Sequence, residues 1–279
     1  MIRIVTDNGS DITLAEAQAL NIERVVLETA FEDGVCPMNT DEDYARFYEK
    51  LKVSEKLPIT SRPAPQQYLD IYMDAKEKGD GVVVIALSSG LSGTYQGAML
   101  AREMVGGYEK IHIVDTKGAT HLISILAQHA AELRARGADA KSIVAACEEL
   151  KTKIKIYAGV DTMEYLRRGG RLSNFAAVAA SFAHLKPVIS LTEDGKVAAV
   201  GKALGKNKAM QWILERVKEA EIDRRFPIVT LFTCGGKNCT SLENKLKAMG
   251  EEKFERRQIG STIGAHAGPE VYGVLFVTQ

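Results

Sequence analysis

The residues most able to do chemistry follow an apolar run. Val82–Val83–Val84–Ile85–Ala86–Leu87 leads into Ser88–Ser89–Gly90–Leu91–Ser92–Gly93–Thr94–Tyr95, and a helical pattern comes next. A continuous apolar run of this length reads as a parallel strand buried on both faces. Open α/β sheets bind ligands just beyond the carboxyl ends of such strands. With Ser92 as N-cap, the N–H groups of Gly93, Thr94 and Tyr95 would point outward. Free N–H groups and the positive helix end favour an anion, and the two glycines allow its close approach. The same segment also fits an ordinary strand-to-helix turn with a serine cap.

Four other segments carry ligand-type side chains. Thr6–Asp7–Asn8–Gly9–Ser10–Asp11 follows the first strand, where Asp7 either caps local backbone or orients a ligand hydroxyl. Thr60–Ser61–Arg62–Pro63–Ala64–Pro65 offers two adjacent hydroxyls in a loop stiffened by proline, with Pro65 at the first helical position. It also fits a plain proline-terminated turn. Near the end of the chain, His266 lies in a stretch of small residues from Ile259 to Pro269, either as a structural histidine or as one leaning into a site. Arg167, Arg168 and Arg171 surround Gly169–Gly170, as solvated surface or as a docking loop for phosphate or carboxylate. His112, His121, His129 and His184 lack partners at metal spacing, so no metal site and no cofactor are expected. No nucleophile elbow, phosphate-binding Walker loop or zincin motif is present.

Positioning these loops requires alternating strands and helices. Strands are expected over 3–7, 82–88 and 111–115, an extended segment over 24–31, and helices over 14–20, 41–51, 65–78, 93–105, 123–136 and 139–151. Such alternation implies a parallel sheet covered on both faces. The second half reads as strands over 155–160, 187–192, 196–204, 228–233, 254–259 and 271–278, with helices over 162–168, 206–220 and 240–249. Glu193–Asp194–Gly195 is a hairpin signal. The boundary is expected near residues 151–155.

Bulk properties exclude several classes. The 279 residues suffice for one large or two smaller domains. Lys plus Arg and Asp plus Glu each total 36, so no net field recruits nucleic acid. No apolar stretch approaches the ~18–20 residues that span a bilayer, which leaves only transient contact with a membrane surface open. The chain opens on a strand, and its four cysteines show neither metal spacing nor disulfide density. A reduced cytoplasmic protein is expected.

Taken in order, Thr6–Asp7, Thr60–Ser61–x–Pro63, the 88–95 run, Val114–Asp115, Asp161–Thr162–x–Glu164–Tyr165–Leu166–x–x–Gly169–Gly170–Arg171, Lys186–Pro187 and His266–x–Gly268–Pro269 resemble the DegV family over nearly the whole chain. The resemblance implies a two-domain DegV-like α/β fold. Its parallel-sheet N-terminal domain would be residues 1–153, and its smaller mixed-sheet C-terminal domain residues 154–279. It further implies a binding protein and not an enzyme: a carrier holding a fatty acid in a tunnel, with Thr60, Ser61, Ser92, Gly93, Thr94 and His266 at the head group. Some DegV proteins present the acyl chain to a fatty acid kinase, and the resemblance puts Arg167, Arg168 and Arg171 on the loop facing that partner. Arg62 and Ala64 stand where the family has Gln and Ser, Leu122 and Ser124 where it has small glycines, and Leu204 where it tends to carry Arg. These departures bear on the length of the ligand and on kinase coupling. Two rivals use the same residues. One is a small-molecule phosphotransferase or hydrolase, with His266 as base or covalent anchor and Asp7 or Asp115 orienting it. The other is a module for a protein partner, its pocket filled by Leu122.

Overall fold

The computed structural model describes residues 1–38, 40–172 and 185–279. Its contacts divide the chain into two compact units, Met1–Thr29 with Thr60–Thr152, and Ala30–Ile59 with Lys153–Gln279.

The first unit is built on a four-stranded, all-parallel sheet. Its strands are β1 (Ile2–Asp7), β2 (Ile22–Val25), β6 (Gly81–Ala86) and β7 (Ile111–Asp115), in the order β2-β1-β6-β7. Every residue of β6 is buried, as a strand covered on both faces must be. Helices α1 (Leu14–Ala19), α3 (Pro65–Lys78), α4 (Thr94–Met104), α5 (His121–Ala135) and α6 (Ala140–Lys153) complete it. Tyr68 and Tyr72 of α3 and Ala98 and Ala101 of α4 pack on Val5, Val82 and Val84. The register pairs Asp7 with Val25 and Ala86 with Asp115, so the four strands end together and their loops share one edge.

The second unit carries a mixed six-stranded sheet, ordered β10-β9-β8-β13-β11-β12. These strands are β8 (Ile154–Gly159), β9 (Lys186–Leu191), β10 (Val197–Ala203), β11 (Ile228–Phe232), β12 (Phe254–Gln258) and β13 (Tyr272–Val277). The hairpin of β9 and β10 forms at the Asp194–Gly195 turn, as expected. Helices α8 (Lys206–Glu219) and α9 (Lys237–Ala248) bury Ile213, Leu242 and Leu246 against Val274 and Phe276. Leu204, just past β10, is exposed.

Residues 30–59, which the sequence assigns to the N-terminal domain, cluster with the second unit. The chain crosses at β3 (Thr29–Phe31) and returns at β5 (Ile59–Thr60), two strands of a three-stranded sheet completed by β4 (Gly34–Val35). The cause is α2 (Asp41–Val53): Phe47, Tyr48 and Leu51 form one face of a core with Phe31 and Ala265. A helix buries its apolar stripe where a matching surface exists, whatever lies next to it in the chain.

Residues 259–269 also differ from expectation. In place of a loop they hold a helix, α10 (Ser261–Ala267), started at Gly260 and ended at Gly268, whose φ of 83° only glycine adopts freely. The extended 24–31 segment is likewise two strands, β2 and β3.

Candidate functional site

At the carboxyl edge of the first unit, Asp7 is the organising group. It is fully buried, and its two carboxylate oxygens accept from Gly9 N at 2.9 Å and Leu87 N at 2.8 Å. It therefore ties the loop after β1 to the loop after β6. Burial pushes its carboxyl up to about 6, against the pull of the two N–H groups and of Arg24. Asp115, at the end of β7, does the same for the next loop. Its carboxylate takes Ser89 N at 3.1 Å and pairs with Lys117 Nζ at 2.7 Å. Burial raises it, but the bonds from Lys117 and Ser89 outweigh this and hold it below the usual carboxylate range. Both carboxylates, candidates for orienting a catalytic base, are engaged in holding loops.

The loop they hold is tightly wound. The Ser88 carbonyl accepts from Leu91 N at 3.0 Å and Ser92 N at 3.1 Å, while Ser88 Oγ accepts from Gly90 N at 3.1 Å. One expectation is corrected here. Gly93, not Ser92, occupies the N-cap of α4, and no side chain caps that helix. Ser92 stands one residue too early to reach the first-turn amides; its Oγ lies 2.8 Å from Thr94 Oγ1. The result is a helix end with uncapped N–H groups and a hydroxyl pair beside it, an arrangement that accepts a carboxylate or phosphate.

Thr60 ends β5, and Ser61 donates its N–H to Glu28 O at 2.9 Å. Pro65 begins α3, and Ala64 before it gives no capping bond, as its missing side-chain oxygen dictates. A Cβ built on Gly93 would lie 3.1 Å from Arg62 Nη1, so the guanidinium rests against the start of α4. This neighbour was not legible from spacing. Leu122 is buried, with its side chain filling the space a Cβ would need at Gly118.

In the second unit His266 sits on α10, against α7 (Glu164–Arg168) and the glycine pair that follows. Its imidazole occupies the space of a Cβ at Gly169, and the ring of Tyr165 does the same at Gly268. Tyr48 of α2 closes on Gly264 and donates to Ile259 O at 2.7 Å. The glycines at 264 and 268, four residues apart, were the overlooked sign of a helix face approached closely by bulky rings. Burial lowers His266 to about 4, helped by the Arg171 charge, so the imidazole is neutral near pH 7. It can meet an anion with an N–H donor but not with a charge.

The three arginines differ. Arg167 forms an ion pair with Glu164, Arg168 Nη2 reaches Glu55 O at 3.5 Å, and Arg171 Nη1 donates to Gly169 O at 2.5 Å. His112 lies on β7 and His121 and His129 on α5, while His184 is outside the described residues. Among the described residues no group of three His, Cys, Asp or Glu side chains is placed to hold a metal, and no helix is long and apolar enough to cross a membrane.

Such a chain is of the α/β class, with an uncapped helix end at the carboxyl edge of a parallel sheet. Comparison with known proteins gives the family. The model described as "Uncharacterised protein, DegV family" matches residues 1–279, and the chain belongs to the DegV family. It is 32% identical over 282 residues to a DegV domain-containing protein of Caldanaerobacter subterraneus subsp. tengcongensis, covering 99% of this chain and 98% of that one. Among solved structures, it resembles a fatty acid-binding DegV family protein from Thermus thermophilus, at 27% identity and a TM-score of 0.87, with 100% of this chain and 99% of that chain covered. It also resembles DegV, a fatty acid binding protein from Bacillus subtilis, at 26% identity and a TM-score of 0.85, with the same coverage.

Proposed function

We propose that this chain binds a long-chain fatty acid, its carboxylate received by Thr60, Ser61, Ser92, Gly93 and Thr94 and its acyl chain buried in the protein. The observation that carries this reading is the uncapped start of α4 beside the Ser92–Thr94 hydroxyl pair, in a chain similar to fatty acid-binding relatives. His266 is added as a ligand residue on the family pattern. Each buried methylene contributes roughly 0.8 kcal/mol before the costs of association, so an enclosed acyl chain supplies most of the affinity and the head group supplies selectivity. A cytoplasmic location belongs to the same reading, and all four cysteines are free thiols.

Native mass spectrometry of protein purified from cells, followed by organic extraction, tests the ligand class. A fatty acid is the expected extract; a phosphosugar or nucleotide with no lipid overturns the reading. Ser92→Ala removes one hydrogen bond to a charged group, which typically contributes about 1.5–3 kcal/mol. Oleate affinity by calorimetric titration is expected to fall at least about tenfold at that energy, with the melting temperature of the ligand-free protein nearly unchanged. Equal affinities would place the carboxylate elsewhere.

The reading extends to presentation of the acid to a fatty acid kinase through Arg167, Arg168 and Arg171. Arg168→Glu is expected to leave oleate binding intact, abolish acyl-phosphate formation by that partner, and remove some of the salt dependence of the wild-type reaction. Undiminished phosphorylation by the variant would sink this extension.

A further inference from the structure

Arg62 carries a charge that the fold does not use. It is exposed, and among the described residues it has no hydrogen-bond or ion-pair partner. Its guanidinium nevertheless lies against Gly93, with Nη1 and Cδ at 3.1 and 3.2 Å from the position of a Cβ there. Gly93 is the N-cap of an eleven-residue helix. A cation at that end has the wrong sign for the helix dipole, which stabilises anions at its start and cations at its finish. Two positive groups facing one point are relieved by an anion between them.

A second, separate observation comes from the neighbouring strand. Thr29 is fully buried, and its Oγ1 has no partner among the described residues. Thr29 follows Glu28, whose carbonyl accepts the Ser61 N–H, so it stands beside the segment that presents Ser61 and Arg62. A buried hydroxyl without a partner is unfavourable, and a polar group brought beside it would relieve that cost.

We propose that Arg62 and Thr29 complete the head-group site, Arg62 as the ionic contact and Thr29 as a further hydroxyl, so that it selects an ionised acid over a neutral lipid of equal chain length. This rests on the reading that α4 receives the carboxylate. Arg62 is the specificity-determining member, because a guanidinium can offer a carboxylate two parallel N–H donors from separate nitrogens and a full charge, where a glutamine offers one neutral amide nitrogen.

Equilibrium dialysis with radiolabelled oleate and oleyl alcohol provides the test, on wild type, Arg62→Gln and Thr29→Val. Arg62→Gln is expected to weaken oleate binding about tenfold at low salt, as loss of one charge-assisted contact predicts, and to leave oleyl alcohol unchanged. Raising the salt should narrow the gap between wild type and Arg62→Gln. Thr29→Val keeps the side-chain shape; it should lose several-fold in oleate affinity while its unliganded melting temperature holds or rises. Losses for the acid in both variants support the proposal. Wild-type oleate affinity in either, or equal losses for acid and alcohol, overturns it. A wild type that binds neither lipid would instead sink the fatty-acid reading on which it rests.

Discussion

Asp7→Ala is expected to destabilise the first unit by about 3 kcal/mol, because it strands two buried N–H groups at roughly 1–3 kcal/mol each. Those groups, on Gly9 and Leu87, are buried together with the carboxylate that accepts from them. The loss falls on two loops at once, so oleate affinity should fall with stability. Asp7→Asn keeps one oxygen acceptor and loses about half as much. The two variants also separate in pH. Burial raises the Asp7 carboxyl to about 6, so between its unfolded value near 4 and 6 the folded state binds more proton than the unfolded state. Its contribution therefore falls as pH rises through that window. The stability difference between wild type and Asp7→Asn, measured by chemical denaturation at pH 4.5 and 7, should shrink at the higher pH. A pH-independent difference would mean that Asp7 titrates normally.

How much of this was legible in the sequence depends on how locally each feature is caused. Helix α3 runs from Pro65 to Lys78, the expected span, because Pro65 sets its start and Gly79, with φ of 70°, ends it. Strand β6 announced itself by an apolar run that only a doubly covered strand tolerates. The carboxyl-edge loops followed from the parallel register. Two of the failures come from packing between distant segments. Nothing in 30–59 says that Phe47, Tyr48 and Leu51 meet Ala265 some two hundred residues later. Helix α10 was hidden because Gly264 and Gly268 look like loop residues until Tyr48 and Tyr165 are seen against them. At the start of α4, both Ser92 and Gly93 are acceptable caps, and the choice fell to backbone geometry that composition does not encode. Arg62 read as a departure from a family pattern; only its contact with Gly93 turns that departure into chemistry.

Gly169→Ala isolates the largest effect expected in the second unit. Gly169 has φ of −74° and ψ of −8°, a helical conformation that alanine adopts without strain. The adjoining Gly170, at φ of 69°, is the member of the pair that needs glycine for its backbone. Position 169 needs it for space: an added methyl would collide with His266 Nδ1 and lie 3.0 Å from the Tyr165 carbonyl. The imidazole must therefore move, toward water and away from the buried position that lowers it to about 4. In an NMR titration His266 should shift from about 4 in wild type toward the ordinary value near 6.5 in Gly169→Ala. Arg171→Ala should move it the same way by a smaller amount, since burial is the larger cause and the arginine charge the lesser. The sign for stability follows. A histidine held neutral contributes fully above pH 6.5, and that contribution is lost as pH falls toward 4, so Gly169→Ala should be less acid-sensitive than wild type although about 1–3 kcal/mol less stable at neutral pH from overpacking. Gly170→Ala is the control. It should cost about 1 kcal/mol of backbone strain and leave the His266 titration where it was. If His266 contacts the ligand, Gly169→Ala also weakens oleate binding while Gly170→Ala does not. An unmoved His266 titration in Gly169→Ala would show that the glycine is needed for some other reason than to admit the imidazole.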